Sequence, residues 1–526
     1  MKKILISDKI HPNCINLLKE NSFIVEYNPN LSKDELLKII KDYNGLIVRS
    51  STQVTQEIIE AADKLEIIGR AGTGIDNIDL NSATRKGIIV MNTPGGNTVS
   101  AAEHTISIIF ALCRNIPQAT QSMKEGKWEK KKFSGTELEG KTLGIVGLGK
   151  IGFEVAKRMK AFGVKIISFD PLLAAETADK VGVKLIDLPG LFAEADIITF
   201  HVPLNEETAN LINKSNLDSL KKDVKIINCS RGGVIDEEAI LKGLNDGIIS
   251  GAALDVFSKE PPGLTELIKH EKVICTPHLA ASTDEAQEKV AVQIAGQISD
   301  YFKTGTASGM VNGLAIKYLH DNELKPYLTL SEKLGLIHKQ TLETNCSEVE
   351  LDIYGEYLSD YSDVLATSFL KGFLTSYSET NVNLINAKQL AEEKGIKIKV
   401  STNSRHSHYN NLICAKLSEK VFINSLEGTI TGKNNLRIIK VDDYKMEFEP
   451  AGNLIIYNNV DRPGVLARAG AILADNNINI ASVSLSRIEK GSAALTIMNI
   501  DEEVSKEVKQ KLKSINGIEK INIIKL

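Results

Sequence analysis

The strongest constraint on the fold is a glycine-rich break, Gly147-Leu148-Gly149-Lys150-Ile151-Gly152. It lies between an apolar run from Lys141 to Val146 and a helical pattern ending at Phe162. In such a strand–turn–helix unit the first glycine permits the tight turn. The second lets backbone approach a pyrophosphate, and the third lets helix pack closely on strand. The next strand, Lys165 to Asp170, ends in a carboxylate, at roughly the ~20-residue offset where an acid meets a ribose. Asp170 would accept bonds from the ribose hydroxyls and repel a 2′-phosphate, and Pro171 and Leu172 bring no arginine to welcome one. This pattern predicts NAD rather than NADP. Further runs at Ile197 to Phe200, Lys225 to Asn228, Gly251 to Val256 and Val273 to Thr276 complete a predicted six-stranded doubly wound sheet.

At 526 residues the chain exceeds what one core can organise, and three or four domains are expected. Strands at Lys2 to Ser7, Gly45 to Val48, Leu65 to Gly69 and Ile88 to Met91, with a capped helix over Ser32 to Tyr43, predict a separate parallel-sheet domain. The turn-rich run Asn92-Thr93-Pro94-Gly95-Gly96-Asn97 precedes a domain crossing near Thr98. The helix from Asp284 to Lys303 then leads back, so the second domain is an insertion in the first. The expected division is 1–98 with 283–305, 99–282, 310–450 and 453–526. The third segment mixes helices with alternating strands, and includes a hairpin around Asp442-Asp443. The fourth reads strand, helix, strand, strand, helix, strand, a ferredoxin-like order.

A net charge of -4 and a pI of about 6.2 give no bulk attraction for nucleic acid or anionic lipid. The N-terminal apolar run is short for a signal segment, and no stretch reaches the ~18 apolar residues of a membrane span. Cysteines at 14, 113, 229, 275, 346 and 414 are scattered without a CxxC pair. That points to reduced thiols in the cytoplasm and no structural metal. His406 and His408 have no clear third ligand and read as surface residues.

Chemistry concentrates in three residues in fixed order, Arg231, Glu260 and His278. A guanidinium on a glycine-rich strand-to-helix turn can hold a carboxylate bidentately. An imidazole just past a strand end stands where open α/β sheets bind ligands, and an adjacent carboxylate would orient it and stabilise its charged form. Such a pair can take a proton from a hydroxyl or give one to a carbonyl oxygen. Each residue alone has a commoner structural explanation; the three with a dinucleotide fingerprint point to hydride transfer on a 2-hydroxy acid. His201, at another strand end, reads as cofactor lining or packing.

Several stretches resemble the D-2-hydroxyacid dehydrogenase family, and within it the long, ACT-containing type that acts on 3-phospho-D-glycerate. They are Val48 to Thr52, Gly69 to Asn77, Asn92 to Asn97, Gly147 to Gly152, Asn228 to Gly233, Ala253 to Phe257 and Thr276 to Ser282. The resemblance implies an α/β architecture: a Rossmann-type NAD domain inserted in a flavodoxin-like substrate domain, then an α+β intervening domain and a C-terminal ferredoxin-like ACT domain. It implies Arg231, Glu260 and His278 as catalytic. Implied cofactor contacts are Thr73, Gly147, Gly149, Lys150, Ile151, Gly152, Asp170, Val202, Cys229, Ser230, Arg231, Asp255, His278 and Ala280, the last standing where glycine is usual. Substrate contacts fall on Arg49, Ser50, Arg70 and Gly72, and Lys130-Lys131-Lys132 would add a cation from a partner subunit.

The tail from Asn458 to Val465 and from Asn476 to Ile480 resembles an ACT domain. L-serine is its implied effector, bound where two copies pair and held at Asp461 and Asn479, although Asn459 stands where many serine-responsive relatives carry His or Tyr. The implied activity is NAD-dependent oxidation of 3-phospho-D-glycerate to 3-phosphooxypyruvate, opening L-serine synthesis, with 2-oxoglutarate reduction as a side reaction. The implied assembly is a dimer through NAD domains and a tetramer through the ACT and intervening domains. The rivals are a glyoxylate/hydroxypyruvate or D-lactate reductase, which would lack the phosphate cations, and an NAD-sensing corepressor, which would lack the ACT tail.

Overall fold

A computed structural model describes residues 1–313, 316, 318, 321–342, 346–375, 382–418 and 422–526. The first sheet joins β1 (Lys3–Ile6), β2 (Ile24–Tyr27), β3 (Gly45–Val48), β4 (Ile67–Arg70) and β5 (Ile89–Met91) in the order β2-β1-β3-β4-β5, all parallel. This is the flavodoxin-like order. Strand β2 carries no clear strand signal in the sequence because it is a half-exposed edge strand, without the continuous apolar run of its neighbours. The predicted helix at Ser32 is α-helical over Lys33–Ile39 and tightens to a 3₁₀ turn through Asp42; Ser32 and Glu35 form a capping box.

The second sheet holds β6 (Thr142–Val146), β7 (Lys165–Phe169), β8 (Lys184–Leu185), β9 (Ile197–Phe200), β10 (Val224–Asn228), β11 (Ile249–Leu254) and β12 (Val273–Cys275). Its order is β12-β11-β10-β9-β6-β7-β8. The sheet has seven parallel strands where six were expected. The extra one, β8, is two residues long, too short to show a hydrophobic period. Strand order reverses between β6 and β9, so the glycine-rich turn after β6 opens at the switch point where such sheets bind ligands.

Helix α1 (Pro12–Glu20) belongs to the first sheet, and α2 (Asp284–Thr304) returns from the second sheet to pack beside it. Ile294 and Ile298 of α2 press on Gly69 of β4 so closely that a β-carbon there would lie 2.7–3.0 Å from them. After α2 the chain runs back along β5: Val311 N–H donates to the Val90 carbonyl and Asn92 N–H to the Gly309 carbonyl.

A third sheet, β14-β13-β15-β16-β17-β18, comprises β13 (Glu348–Tyr354), β14 (Lys397–Asn403), β15 (Leu412–Leu417), β16 (Ser425–Thr431), β17 (Asn435–Val441) and β18 (Tyr444–Phe448). Helix α3 (Lys325–Thr341) packs against it, and β17 and β18 form the hairpin turning at Asp442-Asp443. The fourth sheet, β20-β21-β19-β22, consists of β19 (Asn453–Val460), β20 (Ile480–Arg487), β21 (Ala493–Ile500) and β22 (Ile518–Lys525), with helices Val465–Asp475 and Lys506–Lys513. Its βαββαβ order is ferredoxin-like.

Candidate active site

The glycine turn has the properties required of a dinucleotide cradle. Gly147 adopts φ +91°, and a β-carbon on it would stand 2.7 Å from the His201 carbonyl oxygen. A β-carbon on Gly152 would meet the Gly147 carbonyl at 2.2 Å, so only glycine lets the following helix, Lys150–Met159, sit this close. Nothing lies within 4 Å of the equivalent point on Gly149, which caps that helix without a side-chain hydrogen bond. Open space before free backbone N–H groups and a positive helix end fits a pyrophosphate. The Asp170 carboxylate stands against this turn, accepting from Leu148 N–H at 2.9 Å and Leu172 N–H at 3.0 Å.

Between the first two sheets lies a cleft of about 1150 Å³ that gathers Arg231, Glu260 and His278 with Arg49, Ser50, Arg70, Gly72, Thr73, Ile151, Val202, Cys229, Ser230 and Ala280. His278 Nδ1 lies 2.8 Å from Glu260 Oε2, and Phe257 N–H donates to Glu260 Oε1 at 3.1 Å. The carboxylate is thereby aimed, and Nε2 is the ring nitrogen left to handle a proton. Both side chains are roughly two-fifths exposed, open to a ligand from the cleft.

Arg231 is seated by its turn. Asn228 Nδ2 donates to the Arg231 carbonyl, and Asn228 Oδ1 accepts from both the N–H and hydroxyl of Ser230. The guanidinium bonds Asp76 Oδ2 through Nε at 3.0 Å and the Ser230 carbonyl through Nη1 at 2.7 Å. A β-carbon at Gly74 would collide with Nη2, so that glycine is what makes room for the arginine.

From the other wall come Arg49 and Arg70, at the ends of adjacent strands β3 and β4. Burial, with the neighbouring Arg231 and Arg49 charges adding, pulls Arg70 down to about 10, still fully charged near neutrality. Enclosure pushes the His201 imidazole down to about 4, so it lines the cleft as a neutral ring.

Several expected contacts lie elsewhere. Gly147, Gly152 and Asp170 do not line the cleft itself, and Gly149 and Lys150 line a shallower neighbouring recess beside Pro94, Gly95 and Lys289. Asp255 has no exposed surface and serves from beneath: its carboxylate accepts from Thr276 Oγ1 at 2.6 Å, Leu279 N–H at 2.7 Å and Ala280 N–H at 2.9 Å. His104 approaches it at 3.3 Å. Asp255 thus forms a post under the His278 loop. Lys130 to Lys132 are exposed and do not line this cleft.

The expected effector pair, Asp461 and Asn479, is split within one chain. Asp461 follows β19 where Val460 pairs with Ala493, whereas Asn479 precedes β20 where Ile480 pairs with Ile500. They occupy opposite ends of the sheet, and within one chain they cannot grip one small ligand. Asp461 is engaged by Arg487 and Gly491 N–H, and Asn479 by Asp501 and Glu502.

Sequence reasoning passed over Asp8, Asp76, Asn77 and His104. Asp76 and Asn77 lie within the motif Gly69 to Asn77, so their position was visible but their partners were not. Among the described residues no helix is long and apolar enough to cross a membrane, and no cluster of three or more His, Cys, Asp or Glu could hold a metal.

The model of the D-isomer specific 2-hydroxyacid dehydrogenase NAD binding domain matches residues 106–280. That of the D-3-phosphoglycerate dehydrogenase intervening domain matches 323–442, and that of the ACT domain matches 453–517. The chain is 43% identical to the D-3-phosphoglycerate dehydrogenase of Methanocaldococcus jannaschii over all of both chains. The chain belongs to the D-3-phosphoglycerate dehydrogenase family. It is also 38% identical to the family member of Bacillus subtilis over the full length of both, and 46% identical to that of Homo sapiens over 76% of this chain and 75% of that one. Among solved structures it is similar to a D-lactate dehydrogenase from Aquifex aeolicus complexed with NAD and lactic acid. That likeness has a TM-score of 0.52 and 28% identity, over 57% of this chain and 95% of the other. The family's NAD-binding segment includes Arg231, Glu260 and His278, while Arg49 and Arg70 precede it.

Proposed function

We propose that this protein oxidises 3-phospho-D-glycerate to 3-phosphooxypyruvate with NAD, the opening step of L-serine synthesis. The observation that carries the reading is the convergence in one cleft of a Glu260–His278 pair and three arginines from two walls. Arg231 holds the substrate carboxylate, and Arg49 and Arg70, with Ser50 and the Gly72 backbone, hold the phosphate. His278 Nε2 takes the hydroxyl proton, and Glu260 orients the ring and stabilises its charged form. When bound, NAD supplies the hydride acceptor. The Gly147–Gly152 turn and Asp170 would hold it, with Thr73, Ile151, Val202, Cys229, Ser230 and Ala280 of the cleft lining beside them. Running backwards, the same groups protonate a 2-oxo acid as it is reduced, which supports 2-oxoglutarate reduction as a side reaction.

L-serine as effector is part of the proposal, supported by the ACT match. Since Asp461 and Asn479 lie at opposite sheet ends, the site is one that two copies complete, consistent with dimers through NAD domains joined as tetramers by the ACT and intervening domains. The six cysteines stand as thiols rather than disulfides, in keeping with a cytoplasmic location. The test is to incubate the purified full chain with 3-phosphoglycerate and either NAD or NADP. The expected outcome is NADH and 3-phosphooxypyruvate in equal amounts, with NADP far slower; no product with NAD overturns the reading.

A further inference from the structure

Asn77 occupies the junction between the two substrate-domain arginines. Its Oδ1 accepts from Arg70 Nε at 3.2 Å. Its Nδ2 donates to the Arg49 carbonyl at 2.7 Å and the Thr52 carbonyl at 2.6 Å. One nearly buried amide thus ties the Arg70 side chain to the loop that carries Arg49. An amide suits this position because the two tasks need opposite polarity, an acceptor for a guanidinium and a donor for carbonyls.

Asp8 closes the same loop from below. It is buried, its Oδ2 accepts from the N–H groups of Arg49, Ser51 and Thr52, and its Oδ1 accepts from the Thr52 hydroxyl. Three of the turn's backbone donors are therefore spent on the protein, with the arginines placed to meet an incoming anion. Each guanidinium is tethered to the protein: Arg70 by Asn77, Arg49 by the Lys9 carbonyl, and Arg231 by Asp76 and the Ser230 carbonyl. Untethered, three like charges in one cleft would splay apart. Gly72 helps on the other side, since a β-carbon there would lie 2.3 Å from Arg70 Nη1.

We infer that Asn77 is the positioning residue that holds Arg49 and Arg70 as a pair for a phosphate, and so sets the preference for a phosphorylated 2-hydroxy acid. This rests on the function proposed above. Asn77 touches neither the hydride path nor His278, so it acts on substrate affinity rather than on the chemical step.

The test compares Asn77→Ala and Asn77→Asp with the unmodified full chain, measuring kcat and KM for 3-phosphoglycerate and for D-glycerate. Asn77→Ala is expected to raise KM for 3-phosphoglycerate by about tenfold or more, equivalent to about 1.4 kcal/mol. Its kcat, and its kcat/KM for D-glycerate, should stay within about twofold. Asn77→Asp keeps an acceptor for Arg70 but cannot donate to the two carbonyls, and an intermediate rise in KM is expected. It also serves should the alanine variant fail to fold. Variants that keep the full preference, or lose both substrates equally through kcat, overturn the inference. An unmodified enzyme that uses both acids equally overturns the proposed function instead.

Discussion

His278 adopts φ +55°, a left-handed conformation that costs a residue with a β-carbon on the order of 1 kcal/mol or more. The surroundings hold it there: its N–H donates to the Asp255 carbonyl at 2.9 Å, while the Asp255 carboxylate grips the next two N–H groups. The sequence made His278, Glu260 and Arg231 legible because their chemistry is distinctive in combination. It could not reveal that Asp255 works from beneath, because a carboxylate facing a cleft and one buried under it are spelled alike. His278→Ala should lower kcat by roughly 10²–10⁴-fold, the range for a lost general base, with NADH affinity retained by binding fluorescence. Near-normal turnover would remove His278 from the mechanism.

At the scale of elements, alternating apolar runs and helical patterns made two parallel sheets readable before any coordinates. Strands β2 and β8 escaped because one is a half-exposed edge and the other is two residues long. Helix α3 carries a feature that periodicity hides. His338 is fully buried on it, with Nε2 3.2 Å from the Ala415 carbonyl oxygen, and desolvation lowers its imidazole to about 4 from an ordinary 6.5. The unfolded chain therefore binds a proton at His338 between about pH 6.5 and 4 that the folded domain refuses, so stability falls as pH drops through that window. A shift of this size is worth at most about 3 kcal/mol. Melting temperature should be flat above pH 6.5 and decline below it, and His338→Gln should shrink the decline. An unchanged slope in that variant would show that other groups set it.

Over the whole molecule, the appended domains are tied to the substrate domain by hydrogen bonds that no pattern announces. Asn312 accepts from Val90 N–H and donates to the Ile88 carbonyl, while Asn383 and Asn386 donate to the Gly87 and Arg85 carbonyls at the end of helix Leu80–Lys86. Such contacts join residues more than 200 positions apart, which is why domain content was readable and domain docking was not. The catalytic cleft divides its work along the same lines. On the function proposed above, the inserted domain would carry the reaction through Arg231, Glu260 and His278, and the first domain would carry phosphate recognition through Arg49 and Arg70. The most direct test of that division is the ratio of kcat/KM for 3-phosphoglycerate to that for D-glycerate, in the full chain and in Arg49→Ala/Arg70→Ala. The unmodified protein should favour the phosphorylated acid by roughly 10²-fold or more, as two charge-assisted contacts of about 1.5–3 kcal/mol each imply, and the double variant should lose most of that preference. Equal use of both acids by the unmodified protein, or a preference untouched in the variant, would contradict it.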